Sequence, residues 1–301
     1  MGRLGYLGGW YIRSLAGIRH PLLAGIKLTH ACNLACAHCP FWRRPGPTLG
    51  FDRLLQVMDE LHGRGVRLVI FEGGEPLLWR DGTHAIHDAI AAARARFFRV
   101  GVTTNGTLPL SGDPDIVWVS IDGLQPTHDR IRGPGTFDRA MRTISGTVHP
   151  ALYGHITINR LNQAEIGDLV VRLAPLVKGI TIQFHYPYGG GEEDLCLDLR
   201  ERRPVLDRLM ELKRRGYPVA DSYACLRALR DNSWTCRPWM IASVEPDGTV
   251  REGCYARDRG PVVCGQCGFA AHAEISLAWK TDPGALRCGF DIFRLQGRAL
   301  S

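Results

Sequence analysis

The sequence of 301 residues contains few lysines, no long run of one charge and no long apolar run. Its net charge of +7 comes almost wholly from arginine and is dispersed along the chain. A nucleic-acid-binding protein ordinarily concentrates basic residues into a stripe or adds aromatic platforms, so we expect no nucleic-acid partner. No stretch of about 20 uninterrupted apolar residues is present, which excludes a helix that spans a bilayer.

The N-terminal segment is apolar but does not have the features of a signal peptide. Arg13 interrupts its apolar run, and no small-residue cleavage site follows. A helix within residues 1–23 places a set of apolar side chains on one face: Tyr6, Leu7, Trp10, Tyr11 and Leu15. We expect this N-terminal helical extension to pack on the rest of the protein, with peripheral membrane contact as the alternative.

Cysteine is abundant, with ten residues that are clustered along the chain. Small secreted domains spread their cysteines as a disulfide framework, whereas clustered cysteines in a long chain favour metal ligation. We therefore expect a reducing, cytoplasmic environment, with membrane association left open by the N-terminal segment.

Short apolar runs alternate with helical patterns over residues 24–215. The six predicted strands are Ile26–Thr29, Val66–Phe71, Phe98–Thr103, Ile116–Ile121, His155–Asn159 and Ile180–Phe184. The predicted helices are Phe51–Gly63, His84–Ala95, Phe137–Val148 and Ala164–Val177. Such alternation indicates parallel strands joined by right-handed crossovers. The predicted fold is therefore α/β: a partial (β/α)6 TIM-like barrel over residues 24–215, with a small irregular cysteine-rich C-terminal domain over residues 216–301.

The chemically informative residues follow the predicted strands at one end. In parallel α/β architectures, active sites are built at the carboxyl ends of the strands. The residues at these ends are Cys32, Cys36, Cys39, Gly73, Gly74, Glu75, Pro76, Asn105, Ser120, Asp122, His185, Tyr186 and Tyr188. We therefore predict one rim that collects these groups, although the sequence identifies no catalytic acid or base among them.

Cys32, Cys36 and Cys39 lie within eight residues, in the run C-N-L-A-C-A-H-C. One short loop does not readily direct three thiols into the core, and a structural zinc site requires four ligands. A 4Fe–4S cluster also normally takes four thiolates, so three would leave one iron open to another ligand. The spacing therefore predicts a cluster with an open iron.

The spacing Cys-x3-Cys-x2-Cys after the first strand, with Gly73-Gly74-Glu75-Pro76 after the second, resembles the radical S-adenosylmethionine (SAM) enzymes. The strings T-N-G, S-I-D-G and H-D-R-I-R-G are similar to strings in members with a C-terminal auxiliary-cluster domain of the SPASM or twitch type. The resemblance implies that the open iron binds SAM, and that reduction of the cluster yields methionine and a 5′-deoxyadenosyl radical. It also implies a reducing partner such as flavodoxin or ferredoxin.

The same resemblance implies a set of SAM-binding residues: Gly73, Gly74, Glu75, Pro76, Asn105, Ser120, Asp122 and Arg132. The two glycines would let the backbone approach the methionine moiety, because they lack a Cβ, and Glu75 would shape their loop. Ser120 and Asp122 would contact the ribose hydroxyls. Arg132 would pair with the methionine carboxylate.

A second group of cysteines lies near the C-terminus: Cys236, Cys254, Cys264 and Cys267. Between the first two, a hairpin is predicted with its turn at Pro246-Asp247-Gly248. Four thiolates suit an auxiliary 4Fe–4S cluster, with structural zinc and a dithiol redox pair as alternatives. Cys196, Cys225 and Cys288 are predicted to be packing residues, although Cys225 is an alternative to one ligand of this group.

The predicted activity is the modification of an unactivated C–H or C=C group by radical SAM chemistry. The tail, at Cys236-Arg-Pro-Trp239, Cys254-Tyr255 and Cys267-Gly-Phe269, also resembles hopanoid-adenosylating radical SAM enzymes. That resemblance favours a lipid, an isoprenoid or another small molecule as the substrate. The alternative is a maturase that modifies a peptide or protein, and a remote alternative is a zinc-binding protein without enzymatic activity.

Overall fold

The computed structural model describes residues 2–44, 46–189 and 192–295. Residue 1 and residues 296–301, which belong to the predicted terminal segments, lie outside the described residues. The described strands are β1 Leu23–Lys27, β2 Leu68–Glu72, β3 Arg80–Asp81, β4 His84–Ala85, β5 Arg99–Thr104, β6 Ile116–Ser120, β7 Leu152–Ile158, β8 Gly179–Phe184, β9 Ile241–Val244 and β10 Val250–Glu252. The described α-helices are α1 Arg3–Leu15, α2 Phe51–Gly63, α3 Ile86–Arg94, α4 Gln125–Arg132, α5 Thr136–Gly146, α6 Ile166–Leu173, α7 Leu199–Arg214, α8 Tyr223–Asp231, α9 Ala270–Trp279 and α10 Pro283–Ile292.

Eight of these strands form one sheet in the spatial order β10–β9–β1–β2–β5–β6–β7–β8. Neighbouring strands from β9 to β8 are parallel, whereas β10 is antiparallel to β9. The short strands β3 and β4 form a separate ribbon. Strands β1, β2, β5, β6, β7 and β8 follow one another in space as they do in the sequence. The predicted partial TIM-like barrel is therefore confirmed.

The helices cover the outer face of the sheet through regularly spaced apolar residues. In α2, the buried residues Leu54, Val57, Met58 and Leu61 are three or four positions apart, which places them on one side of the helix. They belong to one cluster with buried strand residues such as Val69. Burial of each such side chain stabilises the fold by about 1.5–3 kcal/mol before the entropy cost is counted.

The barrel interior is filled at the end away from the predicted site. Trp118 and Tyr153 lie there, with ring centroids 6.1 Å apart. Glycines on adjacent strands make room for both rings: a Cβ on Gly101 would lie 2.5 Å from the Trp118 ring, and one on Gly179 would lie 2.7 Å from the Tyr153 ring. The open space in the barrel therefore lies toward the carboxyl ends of the strands.

The six predicted barrel strands are present, with ends that differ by up to a few residues. Strand β7 begins at Leu152 rather than at His155, because Gly154 continues the strand instead of ending it. Helix α2 has the predicted bounds. The sequence does not predict α4, since two of its three buried residues, His128 and Arg132, are polar and leave little apolar periodicity.

The cysteine-rich C-terminal segment joins the barrel sheet. Strands β9 and β10 form the predicted hairpin, and Gly248 in its turn has a φ of +81°, which favours glycine. Strand β9 also pairs in parallel with β1. This pairing has no local signal in the sequence, because it joins segments more than 200 residues apart. It brings the C-terminal segment beside the loop that carries the first three cysteines.

Helix α1 packs on the barrel through its aromatic residues, as predicted. Trp10 is buried and stacks on Trp239, with ring centroids 5.7 Å apart. The Tyr6 hydroxyl donates to the Gly65 carbonyl oxygen at 2.9 Å. The helical pattern predicts Leu15 on the same face, but its side chain is exposed. Within the described part of the chain, no helix is both long enough and apolar enough to cross a membrane.

Asp221 covers part of the free edge of the sheet at β8. Its Oδ2 atom accepts a hydrogen bond from the Ile182 amide at 2.9 Å. One carboxylate oxygen each of Asp221 and Glu274 and the Cys225 sulfur lie within 4.8 Å of one another. Burial, with the negative charge of Glu274, raises the pKa of Asp221 to about 8. The fold therefore retains a proton on this carboxyl group at a pH where the unfolded chain has lost it.

We predict that Asp221→Asn reduces the loss of stability at high pH. The ordinary pKa of 3.8 is below the folded value, so this contribution to the free energy of unfolding is complete below pH 3.8 and is lost as the pH rises toward 8. The free energy of unfolding falls by up to about 1 kcal/mol per pH unit in this range. Asparagine keeps an oxygen acceptor for Ile182 but does not ionise. The apparent Tm of the variant should therefore fall less than that of the wild type between about pH 6 and pH 8.

The control for this prediction is Asp207→Asn, which changes an exposed carboxylate that pairs with Arg230. Its Tm should follow the pH dependence of the wild type. If the apparent Tm of Asp221→Asn and that of the wild type changed equally with pH, the Asp221 proton would not contribute to stability.

Candidate active site

A cavity of about 340 Å³ lies inside the barrel at the carboxyl ends of the strands. Its lining includes Cys32, Cys36 and Cys39 from the loop after β1, and Gly73 and Gly74 from the loop after β2. These loops are far apart in the sequence but meet here because parallel strands place their carboxyl ends on one rim. The cysteine triplet and the glycine pair therefore share one cavity.

The three cysteines of the first group differ in their burial. Cys36 is buried, whereas Cys32 and Cys39 are partly exposed. Burial raises the pKa of the Cys36 thiol to about 12, although the positive charge of Arg132 acts in the opposite direction. A metal cation offsets the cost of burying negatively charged thiolates, and a thiol that ligates the cation loses its proton. The donor set therefore fits an iron–sulfur cluster.

Gly73 and Gly74 pack against the backbone that leads into the cysteine loop. A Cβ on Gly74 would lie 2.2 Å from the Ala31 carbonyl oxygen, and one on Gly73 would lie 2.5 Å from that of Thr29. The Gly74 amide donates to the Thr29 carbonyl oxygen at 2.7 Å. Pro76 begins a single 3-10 turn that ends the loop. The glycines therefore allow two loops to touch, a role that the sequence does not predict, and their contact with SAM stays a prediction.

Glu75 connects the glycine loop to the loop after β5. It is fully buried, and its Oε1 atom accepts from the Thr104 hydroxyl at 2.8 Å and from the Leu77 amide at 3.1 Å. Its Oε2 atom accepts from the Asn105 amide at 2.7 Å. The Asn105 side chain in turn donates to Asn33 in the cysteine loop at 2.9 Å. This chain of hydrogen bonds fixes three loops around the cavity.

Asp122 and Arg132 form a buried ion pair beside the cavity. Arg132 Nε donates to Asp122 Oδ2 at 2.6 Å, and the Thr157 amide donates to Asp122 Oδ1 at 2.8 Å. Burial opposes the ionisation of Asp122, but the Arg132 charge lowers its pKa to about 2. The Asp122 carboxylate is fully buried and holds Arg132, and its predicted contact with the ribose stays a prediction. Ser120 and Arg132 line the cavity, so their predicted contacts with SAM stay predictions.

A polar cluster that the sequence does not predict lies at the end of β2. Lys27 Nζ donates to Glu72 Oε1 at 2.5 Å, and both side chains contact the Tyr255 hydroxyl, which donates to Glu72 at 3.2 Å. Glu72 and Tyr255 line the cavity. Tyr255 directly follows Cys254, so this cluster connects the cavity to the second group of cysteines. Its only local signal is a glutamate at the end of an otherwise apolar strand.

Other cavity residues come from the later strands and from α9. They are His155, Thr157, Gln183, His185, Tyr186, Tyr188, Phe269 and His272. His155 and Thr157 are two positions apart on β7, as expected for side chains on one face of a strand. Leu23, Ile70 and Ile241 line the cavity toward the other ends of their strands. The cavity therefore has a polar, aromatic rim and an apolar floor.

The four cysteines of the second group come together in the fold, although they are spread over 32 residues of the sequence. Burial raises the pKa of Cys236 to about 12, and charges on Cys267, Cys254 and Cys264 act in the same direction. Cys236 Sγ lies 3.9 Å from His272 Nδ1. The fold thus gathers these thiols next to the cavity wall, while their ligand role stays a prediction.

The remaining cysteines have other neighbours. Cys225 is buried beside Asp221 and Glu274, and its thiol donates to the Ala270 carbonyl oxygen at 3.7 Å. Cys288 is buried on α10. Cys196, by contrast, is partly exposed, and the role of all three as packing residues stays a prediction.

A family profile described as "Radical SAM superfamily" matches residues 26–147. Fe-coproporphyrin III synthase of Methanosarcina barkeri is 28% identical over 220 residues, which cover 64% of this chain and 53% of the relative. Mycofactocin maturase MftC of Mycobacterium tuberculosis is 29% identical over 276 residues, which cover 85% of this chain and 66% of the relative. The chain thus spans between half and two thirds of the length of these curated relatives.

A crystal structure of SuiB from Streptococcus suis, bound to precursor peptide SuiA, has a similar fold. The TM-score is 0.65 at 14% sequence identity, and the match covers 91% of this chain and 69% of that chain. At this identity the likeness concerns the fold alone.

Proposed function

We propose that this chain, whose residues 26–147 form a radical SAM domain, is an enzyme that cleaves SAM reductively at a cluster held by Cys32, Cys36 and Cys39. The observation that carries the proposal is the single cavity that these thiols share with Gly73 and Gly74. The cofactors of the domain are a 4Fe–4S cluster and SAM. Held by the three cysteines and reduced, the cluster would supply the electron for cleavage of SAM into methionine and a 5′-deoxyadenosyl radical.

The residues around the cavity prepare it for a zwitterionic ligand. Glu75 holds the glycine loop in place before any ligand binds, which limits the reorganisation that binding requires. Asp122 holds the Arg132 guanidinium at the cavity wall, where its charge complements a carboxylate. The volume of about 340 Å³ is near the lower end of the range of about 300–1,000 Å³ that small-molecule sites occupy.

The second group of cysteines is proposed to hold an auxiliary 4Fe–4S cluster. Tyr255 supports this placement, because it follows one proposed ligand in the sequence and contacts Lys27 and Glu72 at the cavity. The auxiliary cluster would then lie on the substrate side of the radical site. Structural zinc and a dithiol pair are the alternatives for this group.

The proposed substrate is a peptide or protein. Mycofactocin maturase supports this choice, as does the likeness in fold to SuiB with its bound precursor peptide. A lipid or isoprenoid is the second candidate, and the apolar floor formed by Leu23, Ile70 and Ile241 favours it. A low-potential protein such as flavodoxin or ferredoxin would supply the electron.

The choice between substrates can be tested with two probes: a short peptide encoded beside this gene, and a total lipid extract of the same cells. Reduced protein with SAM should change the mass of the peptide, in step with the formation of 5′-deoxyadenosine. Mass spectrometry measures both, and Cys36→Ala protein gives the background. A change in a lipid species but not in the peptide would instead select the second candidate.

A further inference from the structure

The outward side of α1 is apolar, and no residue of the described ranges 2–44, 46–189 and 192–295 covers it. Its members are Leu4, Gly5, Gly8, Ile12 and Leu15, which lie on one side of a helix that turns about 100° per residue, together with Ala16, which caps the helix. The exposed fractions of Leu4, Ile12 and Leu15 are 62%, 67% and 59%. A surface helix of a globular protein ordinarily carries polar side chains on this side. The set is referred to as the α1 face.

The α1 face is not required to attach the helix to the barrel. The opposite side of α1 performs that role, with Trp10 and Ser14 buried. Trp279 Nε1 donates to the Ser14 hydroxyl at 2.8 Å, and the Trp279 ring lies 6.4 Å from that of Tyr11. Contiguous exposed apolar side chains of this kind mark a surface that binds something.

Positive charge accompanies this surface. The sequence has no acidic residue before Asp52, but it has six basic ones: Arg3, Arg13, Arg19, Lys27, Arg43 and Arg44. Of these, Lys27 is buried in an ion pair with Glu72, and Arg43 and Arg44 lie in the loop that carries the first cysteines, so the charge near α1 is that of the remaining arginines. Arg13 and Arg19 are exposed, one on α1 and one shortly after it.

We propose that the α1 face docks the protein on a bilayer surface that contains anionic lipids. A helix of 13 residues is about 20 Å long and can lie in the plane of the headgroups with its apolar side inserted. The arginine side chains can extend to lipid phosphates. A symmetric contact between two copies would place Arg13 and Arg19 of both copies at one interface to which α1 contributes no acidic residue, so anionic lipid complements this surface better than a second copy does.

Vesicle flotation of the full chain tests this proposal, and the assay measures binding without relying on the proposed enzymatic activity. The wild type should float with vesicles of phosphatidylcholine and phosphatidylglycerol, and less with phosphatidylcholine alone. Ile12→Ser/Leu15→Ser should reduce the apparent association constant at least about tenfold, because two large apolar side chains no longer insert. Arg13→Glu/Arg19→Glu should weaken binding to the anionic vesicles and reduce its dependence on salt.

The matched control is Val148→Ser, since Val148 is 104% exposed but lies outside the α1 face. This variant should float like the wild type, and all variants should keep the wild-type Tm. Absence of flotation by the wild type, or equal flotation by Ile12→Ser/Leu15→Ser, would overturn the proposal. A dimer of the wild type that dissociates in the same double variant would assign the surface to self-association instead.

Discussion

Cys36→Ala is expected to reduce SAM cleavage to the background of protein without iron. Cys36 is the buried member of the first group and lies near Arg132. Its loss leaves two thiolates, which are too few for the proposed cluster, in which one iron would be kept for SAM. The measurement is 5′-deoxyadenosine formed by the reduced, reconstituted protein, quantified by mass spectrometry.

Cys196→Ala is the control for this experiment, because Cys196 is partly exposed and belongs to neither group of ligands. It should cleave SAM at the wild-type rate. The Cys36→Ala protein should also retain the iron of the C-terminal group. Continued cleavage of SAM by Cys36→Ala would mean that the first group does not hold the radical cluster.

Gly74→Ala is expected to have an effect of similar size through a different cause. The added Cβ would lie 2.2 Å from the Ala31 carbonyl oxygen and 2.4 Å from that of His30, so the two loops would have to separate. Both carbonyl groups are backbone atoms just before Cys32, and neither can move aside as a side chain would. We expect a loss of cluster loading and SAM cleavage of at least about tenfold, since misplacement by about 1 Å can cost two orders of magnitude in rate.

Gly63→Ala provides the comparison, because Gly63 ends α2 and a Cβ there would meet nothing within 4 Å. Its iron content and cleavage rate should equal those of the wild type. If Gly74→Ala behaved in the same way, the close packing of the glycine loop on the cysteine loop would not matter for the site.

The parts of the site that could be predicted from the sequence depend on residues that are close together in the chain. The spacing of Cys32, Cys36 and Cys39 predicts that they bind a cluster. The alternation of strands and helices predicts that their loop lies beside the glycine loop. Helix α2 has its predicted bounds because its apolar residues repeat every three or four positions. These signals need no knowledge of distant contacts.

The features that could not be predicted depend on contacts between distant segments. The pairing of β9 with β1 brings Tyr255 to Glu72, although 183 residues separate them. Asp122 has the residue type expected of a ribose ligand, yet its carboxylate accepts hydrogen bonds from Arg132 and from the Thr157 amide. Whether a polar group faces a ligand or a buried partner is decided by the register of neighbouring strands, which leaves no trace in the local sequence.

The most direct test of the account is to count iron, acid-labile sulfide and zinc in the wild-type protein, purified and reconstituted without oxygen. Two 4Fe–4S clusters predict about eight irons and eight sulfides per chain, and Cys264→Ala should lower both to about four. About four irons and four sulfides in the wild type would fit the radical cluster alone and would contradict the proposed auxiliary cluster. Zinc without iron or sulfide would contradict the account, because neither group of cysteines would then hold a cluster that can cleave SAM.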